Sequence, residues 1–310
     1  MSKKPKLLIT GTGGFLMGNF VRRAIFNKAE YSFVSIDKVK KNQALNNIYT
    51  NKNHEFYIGD ISNDHFVNVI FESERPDIVV HGASSSEGPI LQDNIIGTQA
   101  VIEACQKWGV KRLLYISTDK VYPNNPGADL TETTCPAPRC LYAASKASGE
   151  LIAQIANKNS LELTVARLCN NYGPRQEVTA LIPQIIKNIL AGQKTTLYSQ
   201  GKQIRQWMHV FDTCDALLKI IAPDNASYST YNIAANQELT NLEIFTAICT
   251  ILGKGHELIE FVDKNGGRDL ARGPMNVSRM KSLEWERQIK FTDGLNKTVE
   301  WYVNNPWALR

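Results

Sequence analysis

A tyrosine and a lysine four residues apart are the side chains of this sequence best suited to chemistry. They stand in YAASK, Tyr142 to Lys146, at the start of a predicted helix. Because residues four apart share one face of a helix, we expect the Lys146 charge to lie beside the Tyr142 phenol and favour the phenolate. STDK, Ser117 to Lys120, ends a predicted strand, and from there Thr118 can hydrogen-bond the same substrate hydroxyl. The spacing predicts a tyrosine base; a chance surface pair is the alternative.

A glycine-rich turn, GTGGFLMG, follows the first predicted strand and leads into a helix. Such glycines let the backbone approach a pyrophosphate, whose charge meets the amides and dipole of the helix N-terminus. A second predicted strand ends in Asp37, whose carboxylate can bind both adenosine ribose hydroxyls and would repel a ribose phosphate. The turn therefore predicts an NAD site, with Asp60 placed to accept the adenine amino group. Because Lys38 follows, NADP is the alternative cofactor, and a turn that binds nothing is the structural alternative.

The elements that must position these residues alternate between strand and helix. Apolar runs predict buried parallel strands at Lys6 to Thr10, Phe33 to Asp37, Glu55 to Asp60, Asp77 to Ala83 and Arg112 to Thr118. Amphipathic stretches such as Asn94 to Trp108 separate them. The alternation predicts an α/β fold, a Rossmann-type doubly wound parallel sheet that binds ligands at the carboxyl ends of its strands.

From Asn170 onward the pattern changes to longer helical stretches between short strands. The helical stretches are Leu181 to Ala191 and Leu242 to Leu252, and Ser229 to Ala234 is one of the strands. We predict an NAD-binding domain over residues 1–169, which includes a strand at Leu163 to Leu168 and to which later segments return. Residues 170–310 are predicted to form a smaller α/β substrate-binding subdomain.

Composition limits the classes of function. The 310 residues are 43% apolar, enough for substantial cores, and the net charge of +5 is too mild for a dedicated nucleic-acid binder. Six scattered cysteines, without CxxC or histidines at ligand spacing, predict reduced, mostly buried thiols and no metal site. Because no stretch has a signal-peptide core or the length to span a bilayer, we predict a cytoplasmic protein without membrane partners.

Motifs along nearly the whole chain resemble the extended short-chain dehydrogenase/reductase family of nucleotide-sugar epimerases and dehydratases. They are TGTGGF, NIIGT, STDKVY, YAASK, RLCNNYGP, LIPQ, RQWMHV, YNIA and RDLAR (Arg268 to Arg272). NNYGP, RQWMHV and the closing TVEWYVNNPW most resemble the 4,6-dehydratases. The resemblance implies an NAD site formed by Gly11, Gly14, Phe15, Leu16, Asp37, Lys38, Asp60, Ile61, Ala83, Tyr142 and Lys146. It also implies that Asn171, Arg205 and Arg272 bind the nucleotide-sugar, the arginines through its diphosphate.

In the 4,6-dehydratases an acid and a second catalytic residue follow the threonine, and these positions are Asp119 and Lys120 here. The usual dTDP-glucose dehydratase pattern is aspartate and then glutamate. An aspartate and lysine pair resembles the UDP-N-acetylglucosamine dehydratases that invert carbon 5, and also the CDP-glucose dehydratases. We therefore predict a hydro-lyase that converts UDP-N-acetylglucosamine to a 4-keto-6-deoxy sugar, with inversion at carbon 5 as a further hypothesis. The alternatives are dTDP-, UDP- and CDP-glucose.

The resemblance implies an internal redox cycle. Tyr142 takes the proton of the 4-hydroxyl while hydride leaves carbon 4 for NAD, and the hydride later returns to carbon 6. Lys120 in its neutral form removes the carbon 5 proton, and protonated Asp119 gives a proton to the departing 6-hydroxyl. The alternative is that Lys120 only forms an ion pair with Asp119. His209 is expected to be structural.

The resemblance also implies a homodimer, joined through helices at Asn94 to Lys107 and Tyr142 to Lys158. Apolar or small residues at Ala147, Leu151, Ile155 and Ala156 predict a buried stripe on the second helix; packing on the chain's own sheet is the alternative. Two other functions stay open. A 4-epimerase needs Thr118, Tyr142 and Lys146 but not Asp119 and Lys120, and a non-catalytic NAD-binding regulator needs no activated tyrosine.

Overall fold

Seven parallel strands form the central sheet of the computed structural model, which describes residues 4–39, 54–156, 161–222, 225, 229–254, 256–262 and 272–310. The spatial order is β3, β2, β1, β4, β5, β6, β10. Their bounds are β1 Lys6–Thr10, β2 Ser32–Asp37, β3 His54–Ile58, β4 Ile78–His81, β5 Arg112–Thr118, β6 Glu162–Leu168 and β10 Thr230–Ile233. The order reverses direction beside β1, which is the doubly wound arrangement. The predicted Rossmann-type α/β fold is confirmed.

Helices cover both faces of this sheet. They are α1 Phe15–Phe26, α2 Asp64–Glu74, α3 Gly97–Lys107, α4 Leu141–Ala156 and α6 Val210–Ile221. Strand residues alternate between two cores: Leu7 and Ile9 face one, and Leu8 faces the other. A π-helical turn, Gln92–Ile96, leads directly into α3. The sheet is therefore buried on both sides, as the continuous apolar runs predict.

A third core lies among the elements that follow β6. The further strands are β7 Asn170–Tyr172, β8 Thr195–Tyr198, β9 Ile204–His209, β11 Glu238–Thr240 and β12 Ile259–Val262, and the further helices are α5 Leu181–Leu190, α7 Asn241–Leu252, α8 Ser278–Ser282 and α9 Phe291–Asn304. β9 pairs with β7 and β11, and β8 pairs with β12. Side chains of α5, α7 and α9 fill this core.

Two segments beyond residue 169 join the first part of the molecule. Strand β10 pairs with β6, and Arg23 of α1 forms an ion pair of 2.7 Å with Asp215 of α6. The structure thus contains returning segments, while the division at residues 169 and 170 stays a prediction. Helix α1 begins at Phe15, inside the glycine-rich motif, since extended Gly14 directly precedes its first turn.

The stripe predicted on α4 is not buried as a whole within one chain, so packing of all four residues on the chain's own sheet is excluded and the dimer contact stays a prediction. Ala147 and Ala156 are buried, but Leu151 is 60% and Ile155 67% exposed. The side of α4 that faces the protein interior carries small residues such as Ala143 and Ala153, which allow close packing on β5 and β6. The last two residues of the predicted helix, 157 and 158, lie outside the described residues.

All six cysteines are free thiols, four of them buried, as expected; Cys135 and Cys140 are exposed. Within the described part of the chain, no helix has the length and apolar character needed to cross a membrane.

Candidate active site

A cleft of about 670 Å³ runs along the carboxyl ends of β1 to β6. Because parallel strands end at the same edge of a sheet, segments far apart in sequence meet there. Ten of the eleven residues predicted for the cofactor line it: Gly11, Gly14, Phe15, Leu16, Asp37, Lys38, Ile61, Ala83, Tyr142 and Lys146. Thr118 and Asn171 also line it. The predicted groups are therefore brought to one edge.

The glycine turn is shaped by its neighbours. Gly11 has a φ of +84°, and a Cβ there would lie 2.7 Å from the Ala83 Cα, so only glycine fits. The Gly13 amide donates to Asp37 Oδ2 at 2.8 Å, and the Val39 amide donates to Asp37 Oδ1 at 2.9 Å. Asp37 is thus fixed at the end of β2, facing the start of α1. A backbone cradle, a helix N-terminus and a fixed carboxylate together fit a dinucleotide with an unphosphorylated ribose.

Lys38 lies between two carboxylates. Its Nζ is 2.7 Å from Asp60 Oδ2 and also contacts Asp93 Oδ1. Burial lowers the pKa of Lys38, but the hydrogen bonds to Asp60 and Asp93 outweigh it and the net pKa is raised. Asp60 does not line the cleft itself; its side chain accepts from the Ser62 amide and hydroxyl, each at 2.8 Å. Its predicted adenine contact stays a prediction.

At the start of α4, Lys146 is buried and Tyr142 is half-buried. The Lys146 Nζ lies 4.2 Å from the centre of the Tyr115 ring, and burial lowers its pKa to about 7 against the opposing charge of Glu150. Burial, and to a smaller extent the Asp119 charge, raise the pKa of Tyr142 to about 12 in spite of a hydrogen bond with Ser84 that favours the phenolate. The expected lowering of the Tyr142 pKa is therefore wrong for the chain alone, because desolvation of the phenolate dominates.

Asp119 and Lys120 lie on a single turn of 3₁₀ helix, Asp119–Val121, directly after β5. The Thr118 hydroxyl caps this turn, accepting from the Lys120 amide at 3.3 Å and donating to Asp119 Oδ1 at 3.2 Å. Asp119 Oδ2 forms an ion pair of 2.6 Å with Arg272 Nη1. The Lys120 Nζ lies instead 5.3 Å from the centre of the Tyr142 ring. Asp119 is thus paired with Arg272 and not with Lys120. The alternative that Lys120 only forms an ion pair with Asp119 is therefore not supported.

The residues predicted to bind substrate are only partly brought together. The Asn171 amide donates to the Cys169 carbonyl at 3.0 Å and accepts from the Thr213 hydroxyl, so its orientation is fixed. Arg205 lies on β9 with Nη1 2.6 Å from the Ile204 carbonyl, outside the cleft lining. Arg272 lies on Asp119. Residues 268–271 of the RDLAR motif lie outside the described residues.

Several cleft residues were not predicted from the sequence. Ser84 contacts Tyr142, and Ser85 donates to Asp93. Asn94, on the π-helical turn, donates to the Ser145 hydroxyl at 2.9 Å and so ties this turn to α4. Arg175 lines the cleft with its guanidinium 5.4 Å from the Trp301 ring centre. The serines could have been found, because they directly follow β4 at the ligand-binding edge.

The parallel sheet, the glycine cradle, the carboxylate at the end of β2 and the tyrosine and lysine that line the cleft define a Rossmann-fold enzyme that uses NAD. The chain belongs to the NAD dependent epimerase/dehydratase family, whose sequence model matches residues 7–234. The predicted family is therefore confirmed.

Individual relatives cover almost the whole chain. It is 32% identical over 311 residues to a low-salt glycan biosynthesis protein of Haloferax volcanii, covering 96% of this chain and 99% of that protein. It is 33% identical over 330 residues to the dTDP-glucose 4,6-dehydratase of Xanthomonas campestris pv. campestris, covering 96% and 93%. The structure of a Bacillus anthracis dTDP-glucose 4,6-dehydratase in complex with NAD matches with a TM-score of 0.90 and 33% identity, covering 98% of both chains. NAD is thereby confirmed as the cofactor.

Proposed function

We propose that this protein is a hydro-lyase, an NAD-dependent nucleotide-sugar 4,6-dehydratase. The observation that carries the proposal is the presence of Asp119 and Lys120 beside Tyr142 at the end of β5. A 4-epimerase has no use for this acid and amine, since it moves a hydride and one hydroxyl proton only. The likeness to 4,6-dehydratases over nearly the full chain supports the same reaction.

The substrate is a nucleoside diphosphate hexose, and dTDP-glucose is the first candidate because the dehydratase relatives act on it by name. UDP-N-acetylglucosamine, preferred from the sequence, is the second candidate. Only Lys120 favours it, together with inversion at carbon 5. UDP-glucose and CDP-glucose follow. The cytoplasmic location stays a prediction.

In the proposed reaction, Tyr142 accepts the proton of the sugar 4-hydroxyl, positioned by the Ser84 hydroxyl and by Thr118 at the end of β5. NAD, held by the glycine turn and Asp37, would supply a hydride acceptor for carbon 4 and a hydride donor for carbon 6, and its positive charge would favour the phenolate. Oxidation at carbon 4 acidifies carbon 5, whose proton Lys120 removes in its neutral form, and a proton returns to carbon 5 from the Lys120 ammonium or from solvent when carbon 6 is reduced. Asp119 in its protonated form donates to the departing 6-hydroxyl, and water is lost.

The Asp119–Arg272 ion pair bears directly on this step. The Arg272 guanidinium lies 2.6 Å from Asp119 Oδ2, so this carboxyl oxygen is engaged in the ion pair and is not directed to a substrate hydroxyl. The diphosphate of a nucleotide-sugar is an anion that competes for the same guanidinium. We infer that substrate binding frees the Asp119 carboxyl from Arg272, so that it can gain a proton from solvent and then donate it to the 6-hydroxyl. This agrees with the sequence-based role of Arg272 in binding the diphosphate.

A homodimer is part of the proposal. Leu151 and Ile155 of α4 and Ile96 of the π-helical turn are large apolar side chains on the exposed face of two neighbouring helices. A second copy of this face can cover them in a four-helix arrangement, as the family resemblance implies.

Proton NMR in heavy water tests the reaction. The protein is incubated separately with dTDP-glucose, UDP-N-acetylglucosamine, UDP-glucose and CDP-glucose without added cofactor. A new 6-methyl signal without deuterium is the expected result, a singlet because carbon 5 takes up deuterium from the solvent. The coupling of the carbon 5 proton in a parallel incubation in ordinary water reports retention or inversion. Conversion to the 4-epimer without a methyl signal would support the epimerase. If none of the sugars changes while NAD remains bound, the regulator is the better description.

A further inference from the structure

Lys38 is placed where a cation would serve a phosphorylated ribose. It directly follows Asp37, the carboxylate that faces the glycine turn at the end of β2. A cation near this position accommodates the 2′-phosphate of NADP in dinucleotide-binding folds. The side chain of Lys38 nevertheless points to two carboxylates, Asp60 and Asp93.

Asp93 is held firmly in this position. Its side chain is 7% exposed, and it accepts from the Ser85 hydroxyl as well as from Lys38. The neighbouring Asn94 is anchored at both ends of its amide, accepting from the Ser85 amide at 2.7 Å and donating to the Ser85 carbonyl at 2.9 Å. The wide turn of the π-helical segment brings both consecutive side chains toward the cleft wall. Lys38 therefore has a buried, fixed partner 55 residues away in the chain.

The charges at this end of the cleft oppose a second phosphate. Asp60 and Asp93 place two carboxylates on one ammonium, and the carboxylate of Asp37 lies at the end of the same strand, facing the glycine turn. A buried carboxylate without a partner is costly, so Asp93 strongly favours keeping Lys38. A 2′-phosphate would meet Asp37 directly and would find Lys38 already neutralised.

We propose that Asp93 is a cofactor-specificity residue, which holds Lys38 in an ion pair away from the adenosine ribose and thereby excludes NADP. The proposal concerns the NAD site alone and does not depend on which sugar is the substrate. Asp60 assists from the exposed side, where its carboxylate is 42% exposed and screened by solvent. Asp93 is the dominant partner because it is buried.

The test is D93N, which keeps the shape of the side chain and an acceptor for Ser85. Protein freed of cofactor is titrated with NADH and NADPH, and binding is followed by the fluorescence of the reduced nicotinamide. Because Lys38 is released toward the ribose, the affinity for NADPH relative to NADH should rise about tenfold, which corresponds to about 1.4 kcal/mol. D77N removes a carboxylate from an ion pair with Lys111 at the opposite end of β4, and it should leave this ratio unchanged.

The double variant K38M/D93N identifies the cause. If the gain passes through Lys38, the double variant returns to the NADPH to NADH ratio of the unmodified protein. A gain that persists in K38M/D93N, or an unchanged ratio in folded D93N, overturns the proposal. K38M alone gives a second reading that does not need D93N to fold: NADPH affinity should stay within about twofold, since an engaged lysine contributes little. A tenfold loss of NADPH affinity in K38M would mean that Lys38 already contacts the ribose phosphate in the unmodified protein.

Discussion

Asp119 and Arg272 are the residues on whose pairing the proposed reaction depends most. The ion pair joins two side chains that are 11% and 12% exposed, so water screens their attraction little. In the proposed reaction, the ion pair holds the Asp119 carboxyl away from the sugar until the diphosphate of the substrate binds the guanidinium. Arg272 thus has two alternative partners, the carboxyl of Asp119 and the diphosphate of the proposed substrate.

Removing the acid should separate oxidation from dehydration. In D119N the 6-hydroxyl has no proton donor, so formation of the 6-methyl product should fall by about 10²- to 10⁴-fold. Tyr142 and Lys146 remain, so oxidation at carbon 4 continues and reduced nicotinamide accumulates, visible by its near-ultraviolet absorbance. Unimpaired product formation in D119N would contradict the role of Asp119.

Lys120 has a separate signature at carbon 5. In K120M the exchange of the carbon 5 proton with heavy water should slow by about 10²- to 10⁴-fold, because the base is removed. Deuterium at carbon 5 is followed by NMR on the 4-keto sugar. K120R, which keeps a cation but cannot act as a neutral base, is the matched control and should be equally slow. If the carbon 5 proton exchanged rapidly in both variants, Lys120 would not be the base and would act only through its charge near Tyr142.

Residue-level features differ in how far the sequence reveals them. Gly11, Gly14 and Asp37 could be predicted because their chemistry is local to one turn and one strand end. The partner of Asp119 is 153 residues away, and that of Lys38 is 55 residues away. Such pairs depend on tertiary packing, and spacing in a single sequence does not report it.

Among the elements, helix α6 begins on an unusual cap. His209 Nδ1 accepts from the Phe211 amide at 3.3 Å, and the ring packs edge-on against Tyr172 and Phe211. Burial lowers the pKa of His209 from 6.5 to about 4. A protonated ring cannot accept the capping hydrogen bond, so protonation of His209 removes the N-cap of helix α6. This agrees with the structural role expected for His209.

The linkage predicts an acid-sensitive helix. The folded-state pKa of His209 is depressed, so the unfolded chain binds the proton first, and stability is lost as pH falls from about 6.5 to about 4. H209N keeps a good cap without the titration, and it should reduce the slope of unfolding free energy by about 1.4 kcal/mol per pH unit in this range. Buried His81, whose pKa is lowered to about 3, should maintain the remaining slope. The free energy of unfolding is measured with urea at several pH values. If its slope against pH is the same in H209N and in the unmodified protein, the linkage is contradicted.

The apolar runs of the sequence predict the strands of the central sheet, and β1 and β5 have the predicted bounds. For the stripe on α4 the sequence left two alternatives open, because an amphipathic pattern indicates that a face is apolar and not what covers it. Leu151 and Ile155 needed the packed structure to be placed outside the chain's own core.

For the whole molecule, this exposed face predicts the assembly. Glutamates in L151E/I155E would be buried in the proposed dimer, so the double variant should sediment as a monomer while the unmodified protein sediments as a dimer. F26E alters an apolar side chain that is 78% exposed on α1, and it should leave the assembly unchanged. An unmodified protein that is monomeric at micromolar concentration would contradict the dimer.

The central sheet cannot be complete until strand β10 has been synthesised. Thr230–Ile233 is hydrogen-bonded along β6, and until it arrives the backbone of β6 is an open sheet edge. During synthesis the central sheet therefore stays unfinished until residue 233 has left the ribosome, long after the catalytic and cofactor-binding strands. A chain cut after residue 169 would expose this edge to other chains, so the two parts of this enzyme are not separable modules, and a fusion or split placed at their boundary should aggregate rather than bind NAD.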